Sequence, residues 1–354
     1  MKKLLNQWYY SGTEIYDDFG KKRNCYIDNL KFILIILVVI GHFSLKMDFV
    51  KKISYFYYFI YVFHMPCFIF VNGYLAKRMN AGGKLRADKI LSVFWMYLIF
   101  KFGNVLLHYA FHQKVTISLF KDTSAPWYLL ALCIWYLSVP LLERIKTKYL
   151  ISGSFLIGLL VGYISIINDT FTLSRVFVYF PFFILGFCLS EKRLEVFLGK
   201  RLRLPAVVIL AATLGFFLLY GQHIVNVHNI IYGTSPYTKS LGDLAPYGML
   251  IRGIWYLLAS ILSAAVILLV PRSKLFFTRF GDRTMQIYMT HIWCRNALVF
   301  AGFFTMIKAE SKYLTVLVIL GSVVLTFLLA NRYLKKLYDM LMAVGSFKKI
   351  LKKD

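Results

Sequence analysis

The first long apolar run of the chain contains three ionisable residues on one helical face: Asp28, Lys31 and His42. Lys31 and His42 are 11 residues apart, which at about 100° per residue leaves them offset by only about 20° on a helix. Histidine is the side chain whose ordinary pKa suits proton transfer near neutral pH, so His42 is a candidate general base. Asp28 and Lys31, at positions i and i+3, can form an ion pair.

Each of these three residues also has a purely structural interpretation. Asp28 and Lys31 lie near the start of the run, where long side chains reach a membrane interface. His42 lies about 16 Å further along the helix, and a histidine there can be a hydrogen-bonded core residue. An ionisable group at the centre of a bilayer costs about 2.5–3.5 kcal/mol. We therefore expect this face to border the bundle interior or a cavity.

Two later apolar runs also carry histidine. In the second run, His64 is followed by Pro66 and then Asn72, and a proline frees a backbone carbonyl and bends the helix. In the ninth run, His291 and Arg295 are spaced i and i+4, so they share a face. The alternatives are a hydrogen-bonded core residue for each histidine and an interfacial anchor for Arg295.

Other chemistries have no pattern in this sequence. It contains no cluster with metal-ligand spacing, no glycine-rich phosphate loop and no Ser-His-Asp arrangement. We therefore expect no bound metal and no permanently bound cofactor. The cysteines lack paired spacing, and we interpret them as small apolar packing residues: Cys25, Cys67, Cys133, Cys188 and Cys294.

The residues singled out above lie in apolar runs that must form helices. The chain is 59% hydrophobic and 16% charged, and about 20 mostly apolar residues suffice to cross a bilayer core. Long continuous runs argue against the short alternating strands of a barrel. The sequence predicts an all-α integral membrane protein, a bundle of about ten transmembrane helices. The runs lie near 30–45, 53–76, 90–111, 126–142, 149–167, 175–190, 204–221, 246–270, 285–306 and 312–331.

The 42 lysines and arginines are distributed unevenly between alternate connecting segments. If the N-terminus lies inside, 29 of them fall in inside segments, nine in outside segments and four within the runs. Cytoplasmic loops carry an excess of Lys and Arg, so the count predicts an even number of spans with both termini cytoplasmic. Orientation and attraction to anionic lipid account for the net charge of +26, and we expect no nucleic-acid partner.

The segments between and around the runs indicate a single domain. We expect a transmembrane domain at 26–331 between a cytoplasmic N-terminal segment (1–25) and a basic cytoplasmic tail (332–354). The first apolar run is a full span, so no cleavable signal peptide is predicted. The polar segment 222–245 is either a plain connection or the cover of an outward-facing site. The expected location is a cell membrane, with multiple spans, in the cytoplasmic membrane of a bacterium.

Five segments resemble, in order, the motifs of the family-3 membrane acyltransferases. They are 26–31 with Gly41-His42, then 63–75, 86–89, 126–132 and 281–291. Lys31 stands where that family usually has arginine, Asn72 where it more often has serine, and Lys89 where it has a second arginine. Each lysine leaves a point charge in place of a bidentate fork. The opening motif looks closest to the fucose 4-O-acetylase-like branch.

This resemblance implies transfer of an acyl group, usually acetyl, from cytoplasmic acyl-CoA to a hydroxyl of a cell-surface or lipid-linked glycan. It implies catalysis by His42 with Asp28 and His291. Donor binding is assigned to Lys31, Arg86 and Lys89. Acceptor or substrate contacts are assigned to His64, Asn72, Trp127 and Arg295. The fused members of the family carry an extracytoplasmic hydrolase-like domain. We expect no such domain in this chain, and we therefore expect it either to acylate its acceptor directly or to pass the group to a separate partner.

Two other classes of function share the apolar helices. A transporter or flippase of glycans or lipid-linked precursors would use interior polar residues without covalent chemistry, and it would not require the spacing from Lys31 to His42. A membrane sensor or scaffold would tolerate loss of His42. Consumption of acetyl-CoA by the purified protein distinguishes an acyltransferase from both.

Overall fold

Helices account for nearly all of the computed structural model, which describes residues 14–16, 22–114, 121–122, 125–224, 227–310 and 313–346. A short hairpin, β1 (Glu14–Tyr16) with β2 (Lys22–Asn24), precedes the first helix, and Ile15 is paired with Arg23. The helices of the described residues are α1 (Cys25–Ser44), α2 (Lys51–Ala76), α3 (Ala87–Ala110), α4 (Trp127–Leu142), α5 (Thr147–Leu160), α6 (Leu173–Cys188), α7 (Glu191–Phe197), α8 (Arg203–Ile224), α9 (Asn229–Tyr232), α10 (Tyr237–Leu241), α11 (Gly248–Leu269), α12 (Thr284–Phe300), α13 (Phe303–Glu310), α14 (Leu314–Leu329) and α15 (Arg332–Gly345). Residues 1–13 of the predicted N-terminal segment and 347–354 of the predicted tail lie outside the described residues.

Nine of the ten predicted apolar runs each coincide with one helix, with ends that differ by up to seven residues, and the run 285–306 covers α12 and the start of α13. Within the described ranges, five helical segments are long and apolar enough to cross a membrane: Cys25–Met47, Lys51–Asn80, Ala87–Ala110, Arg203–Ile224 and Tyr237–Leu269. The number rises to seven when α6 with α7 (bent by 97°) and α14 with α15 (bent by 63°) each count as one span. The chain is therefore an all-helical multi-pass membrane protein, and the count of ten spans stays a prediction.

The N-terminal half of α1 is tied to the segment before α12 by the side chain of Asn29. Its amide nitrogen donates to the carbonyls of Pro271 and Ser273, both at 2.9 Å, and its oxygen accepts from Thr278 Oγ1 at 2.6 Å. Gly281 packs so closely that a Cβ there would lie 2.4 Å from the Cβ of Asp28. These contacts fix α1 relative to the start of α12.

Pro66 determines how α2 packs against α11. Proline has no N–H, so the helix bond that the Val62 carbonyl would normally accept is missing. Trp255 Nε1 donates to that carbonyl at 3.3 Å, and Ser263 Oγ donates to the Phe63 carbonyl at 3.4 Å. Trp255 of α11 thus satisfies the carbonyl that the proline releases, as a membrane interior requires.

Two glycines let α2 and α6 touch along their backbones. A Cβ at Gly73 would lie 2.0 Å from the Phe183 carbonyl oxygen, and one at Gly186 would lie 2.0 Å from the Phe70 carbonyl oxygen. Small residues at helix interfaces allow this close approach in membranes. The contact fixes the rotation of α2, which carries His64 and Asn72.

Candidate active site

Four side chains from three helices meet near the C-terminal end of α1, and we call them the histidine cluster: His42, Tyr61, His291 and Arg295. The ring centres of His42 and His291 are 5.2 Å apart. His42 Nδ1 lies 3.2 Å from the hydroxyl of Tyr61 and 3.3 Å from Nη1 of Arg295. The structure therefore brings together α1, α2 and α12 at the two histidines that the sequence singled out separately.

The partners of His42 determine which ring nitrogen carries its proton. An arginine N–H can only donate, so Nδ1 of His42 accepts from Arg295, and the neutral ring then holds its proton on Nε2. The ring is partly exposed rather than sealed. Nδ1 is thus the basic nitrogen of His42, and two protein donors converge on it.

His291 has its basic nitrogen without a partner. Its Nδ1 lies 2.8 Å from the Ile287 carbonyl one helical turn earlier, and because that oxygen only accepts, Nδ1 carries the hydrogen. The lone pair is then on Nε2, which is buried and makes no hydrogen bond to any described residue. Since the side chain is 0% exposed, this unsatisfied acceptor is a costly feature of the kind found at functional sites.

Arg295 is a buried cation without an acidic neighbour. It is 6% exposed, and its Nε and Nη2 donate to Asn296 Oδ1 at 3.1 and 2.6 Å. Among the described residues it forms no ion pair with a carboxylate. An unneutralised guanidinium beside a base favours binding of an anion or an oxygen that gains negative charge.

His64 lies next to the histidine cluster on α2. Its Nδ1 is 2.9 Å from the Ile60 carbonyl, and its ring centre is 4.4 Å from that of Tyr61. The side chain is 1% exposed. His64 therefore supports Tyr61 from the helical turn below it and does not contact His42 directly in the structure.

A cavity of about 190 Å³ lies below the histidine cluster, between α1, α2, α3, α4 and α12. Its lining is mostly apolar, with Lys31 at one end and the amide and hydroxyl groups of α2, α4 and α12 along its sides. The lining residues are Lys31, Val38, Met65, Phe68, Asn72, Leu75, Val93, Tyr128, Leu129, Leu132, Tyr136, Thr284, Met285 and Tyr288. The volume is smaller than the roughly 300–1,000 Å³ of pockets for drug-sized ligands, so it suits a small group.

Helical spacing continues the cavity wall into the histidine cluster. On α1, Lys31 and Val38 line the cavity, and His42 follows Val38 by four residues. On α12, Tyr288 lines the cavity, and His291 follows by three residues. Residues three or four apart lie on one face, so the faces that enclose the cavity lead from Lys31 to the two histidines.

Asn72 and Trp127 occupy different surroundings. Asn72 lines the cavity, donates to the Phe68 carbonyl at 2.9 Å and contacts the hydroxyl of Tyr128. Trp127 lies outside the cavity wall and stacks on Tyr179 with ring centres 5.3 Å apart. Its neighbour Tyr128 occupies the wall in its place.

Arg175, which forms an ion pair with Asp169, also packs against the ring of Trp127. The Arg175 guanidinium lies 5.0 Å from the indole centre and donates to Asp169 Oδ2 at 2.9 Å. Burial raises the pKa of Asp169 to about 6, although the Arg175 charge acts in the opposite direction. These contacts give Trp127 a rigid support beside the first turn of α4.

The structure does not bring Asp28 to His42. Asp28 is 2% exposed and accepts from Arg23 through both carboxylate oxygens, and its Oδ1 lies 3.8 Å from Lys31 Nζ. Fourteen residues of helix separate Asp28 from His42, which corresponds to about 21 Å. Asp28 thus belongs to the Lys31 end of the cavity.

The donor-binding candidates of the third motif lie at the same end. Arg86 precedes α3, is exposed, and has Nη2 3.4 Å from Asp88 Oδ2. Lys89 lies one helical turn before Val93, which lines the cavity. The structure therefore places Lys89 near the cavity wall and Arg86 on the surface beside it.

The tyrosines of the site escaped the sequence analysis. Tyr61, Tyr128 and Tyr288 contribute hydroxyls to the histidine cluster or the cavity, but the chain contains 25 tyrosines, so residue type carried no signal. Two of them had a positional signal, because Tyr61 and Tyr288 each lie three residues before a candidate histidine. Among the described residues, no group of three His, Cys, Asp or Glu side chains could hold a metal ion.

Comparison with known proteins gives one match. A family model described as an acyltransferase domain matches residues 24–331, which include every candidate site residue named above. Searches of curated proteins and of solved structures found no match.

Proposed function

The chain belongs to the acyltransferase 3 family, and from that premise we propose that it moves an acetyl group from cytoplasmic acetyl-CoA to a hydroxyl of a cell-surface or lipid-linked glycan. The observation that supports this proposal is a cavity beside Lys31 whose walls on α1 and α12 continue, about one helical turn further on, to His42 and His291. The opening motif favours the fucose 4-O-acetylase-like branch, which stays a prediction.

The donor enters from the Lys31 end. Arg86, Lys89 and Lys31 offer positive charge for the nucleotide phosphates. Lys31 and His42 are about 16 Å apart along α1, a distance of the same order as the pantetheine arm of CoA. Asn72 and Tyr128, which line the cavity, offer hydrogen bonds to the amides of this arm. The thioester then lies below His42.

In the transfer step, the acceptor hydroxyl gives its proton to Nδ1 of His42. The hydroxyl oxygen attacks the thioester carbonyl carbon, and negative charge develops on the carbonyl oxygen beside Arg295. The C–S bond breaks, and His42 returns the proton to the thiolate sulfur, which leaves an ester and free CoA. When both substrates are bound, Nδ1 of His42 exchanges its two present partners. The acceptor hydroxyl takes the position of the Tyr61 hydroxyl, and Arg295 donates to the thioester carbonyl oxygen instead of to Nδ1.

His291 acts on this step through His42. Its Nε2 has no hydrogen-bond partner among the described residues, and the centre of its ring is 5.2 Å from that of His42. When His42 holds both protons, its Nε2–H can donate to that lone pair and stabilise the cation. His64 and Trp127 are proposed to line the acceptor side, and the catalytic assignment of Asp28 stays a prediction, since it would act at the donor end.

The proposed direction of transfer requires the predicted topology. Ten spans with both termini cytoplasmic place the Lys31 end inside the cell and the histidine cluster in the outer half of a bacterial cytoplasmic membrane. A reporter fused after residue 200 should be cytoplasmic, and one fused at residue 235 should be outside. Detection of both reporters on one side would contradict the ten-span topology.

The test of the function uses the purified protein in lipid vesicles with radiolabelled acetyl-CoA and de-O-acetylated surface glycan from the source cells. We expect release of CoA and label in the glycan as base-labile ester, with His42→Ala as the inactive control. Absence of both products with folded protein would contradict an acyltransferase. Movement of glycan across the vesicle membrane without use of acetyl-CoA would favour the transporter alternative.

A further inference from the structure

A chain of aromatic rings extends from the histidine cluster away from the cavity, and we call it the tyrosine platform: Tyr57, Tyr58, Tyr61, His228 and Tyr232. The rings of Tyr57 and Tyr61 are 4.0 Å apart, and the hydroxyls of Tyr57 and Tyr232 are 2.8 Å apart. Tyr58 and His228 are 4.8 Å apart, and His228 and Tyr232 are 5.9 Å apart. Tyr61 joins this platform to His42 through its 3.2 Å contact with Nδ1.

The loop that contributes His228 and Tyr232 is held firmly in place. The Tyr179 hydroxyl donates to the Ile231 carbonyl at 2.6 Å. Gly233 has a left-handed φ of 61°, and a Cβ there would lie 2.9 Å from Val178, so this turn requires glycine. Ile231, within α9, is buried. The second half of the tyrosine platform therefore stands on α6 as a pre-formed surface.

The side chains of the tyrosine platform indicate what kind of ligand it can bind. Tyr58, Tyr61, His228 and Tyr232 are each partly exposed, whereas Tyr57 is buried beneath them. These side chains combine ring faces with hydroxyl and imidazole groups and carry no carboxylate or ammonium group. Rings of this kind present an apolar body with a polar tip, and an oriented ligand needs apolar area with a few placed hydrogen bonds. A neutral pyranose, with C–H faces and equatorial hydroxyls, matches both demands.

We infer that the tyrosine platform is the acceptor subsite and binds the sugar ring whose hydroxyl reacts at His42, an assignment that rests on the proposed acetyl transfer. Tyr58 and Tyr232 stack on or flank the ring, and Tyr57 orients Tyr232 through the hydroxyl contact. The donor and acceptor then approach His42 from opposite sides, the donor through the cavity and the sugar across the platform.

The test measures the KM for de-O-acetylated surface glycan and the KM for acetyl-CoA in Tyr58→Leu and Tyr232→Leu. We expect the glycan KM to rise about tenfold, as the loss of roughly one ring contact would produce, while the acetyl-CoA KM keeps its wild-type value. Tyr232→Phe retains the ring and should show a smaller rise. Tyr247→Leu is the matched control, because Tyr247 is exposed in the same connecting region outside the platform, and both of its KM values should be those of the wild type.

The outcomes separate the subsite from the function on which it rests. If wild-type protein transfers acetyl groups but folded Tyr58→Leu and Tyr232→Leu keep the wild-type glycan KM, the subsite is wrong and the acetyltransferase stands. A rise in the acetyl-CoA KM instead would assign the platform to the donor and overturn the inference. If the wild-type protein neither releases CoA nor labels the glycan, the proposed function fails, and the acceptor subsite fails with it.

Discussion

The two ends of α1 carry polar clusters of opposite kinds. At the Asp28 end, Asp28 contacts Arg23 and Lys31, and the adjoining Asp282 lies 3.3 Å from Lys335 Nζ. At the His42 end, the histidine cluster contains a buried arginine and a buried imidazole nitrogen, and no described carboxylate lies within ion-pair distance of Arg295. The charges at the Asp28 end form ion pairs. Among the described residues, the His42 end has a guanidinium without a carboxylate partner and an imidazole nitrogen without a hydrogen bond.

This difference separates structural polar residues from candidates for chemistry. A charge buried without a partner is strongly destabilising, so a fold tolerates it mainly where a ligand or a reaction uses it. At the Asp28 end, Asp28 pairs with Arg23 and Lys31, and Lys335 of α15 pairs with Asp282, which lies just before α12. The unpartnered Nε2 of His291 and the positive charge of Arg295, which no described carboxylate neutralises, are available for a substrate, and this is the property expected of a pre-organised site.

The largest expected effect is that of His42→Ala. Removing a general base should lower kcat by roughly 100- to 10,000-fold, with normal membrane insertion and thermal stability. His108→Ala is the control, because it removes the same side chain on α3 outside the histidine cluster, where His108 Nδ1 lies 2.7 Å from Asn104 O. Near wild-type transfer by His42→Ala would show that His42 is not the general base and that the histidine cluster does not catalyse the transfer through it.

The next effect should come from His291→Asn. The asparagine amide can still donate to the Ile287 carbonyl, but it has no acceptor at the position of Nε2. Loss of a hydrogen bond to a charged group should lower kcat by roughly ten- to a hundredfold, while stability remains close to wild type. His291→Gln, whose amide oxygen reaches the position of Nε2, should recover part of the rate. Full activity in both variants would remove His291 from the reaction.

A smaller effect, on binding alone, is expected at the donor end. Arg86→Ala and Lys89→Ala should each raise the KM for acetyl-CoA by about tenfold, the effect of a weakened hydrogen bond to a phosphate, with kcat preserved because this binding is similar in ground and transition states. Lys84→Ala removes the same charge from the same connecting segment and serves as the control. If neither variant changed the donor KM, the phosphates would have to bind elsewhere.

The smallest effect should be that of Lys335→Met at the paired end. Lys335 Nζ lies 2.8 Å from Asp339 Oδ2 and 3.3 Å from Asp282 Oδ2, so its loss should lower the free energy of unfolding by about 1 kcal/mol and leave kcat unchanged. Lys336→Met, on the exposed face of α15, is the control. A large fall in the kcat of Lys335→Met with unchanged stability would contradict a purely structural role for the ion pairs at the Asp28 end.

The pH dependence of that stabilisation has a definite sign. Burial lowers the pKa of Lys335, but its hydrogen bond to Asp339 and the charge of Asp282 outweigh burial, so the pKa is raised above its ordinary value of 10.5. A raised pKa means that the folded state binds the proton more tightly, so the stabilisation is complete below about pH 10.5 and is lost above it. The difference in unfolding between Lys335→Met and wild type should therefore be constant from pH 7 to 9.

The amino-acid sequence by itself determined the helices and the faces on them. Long apolar runs of about 20 residues form helices in a bilayer, and every run is helical, although the run 285–306 is divided between α12 and α13. The shared faces of Lys31 with His42, and of His291 with Arg295, followed from helical spacing alone. These are local properties, which depend on the residues of one helix and on its environment.

Only the tertiary structure decided which faces meet. The pairing of His42 with His291 depends on contacts between residues far apart in the chain, such as Asn29 with Thr278 and Gly281 with Asp28. Helical spacing predicted that Lys31 would pair with Asp28. In the structure Arg23, which precedes α1, lies closer to Asp28 than Lys31 does. Periodicity defines the direction of a side chain relative to its own helix, but close packing between helices determines its partners. Those partners neutralise the charge of Asp28 at one end of α1, and at the other end they leave Arg295 without a described carboxylate and His291 Nε2 without a hydrogen bond to a described residue.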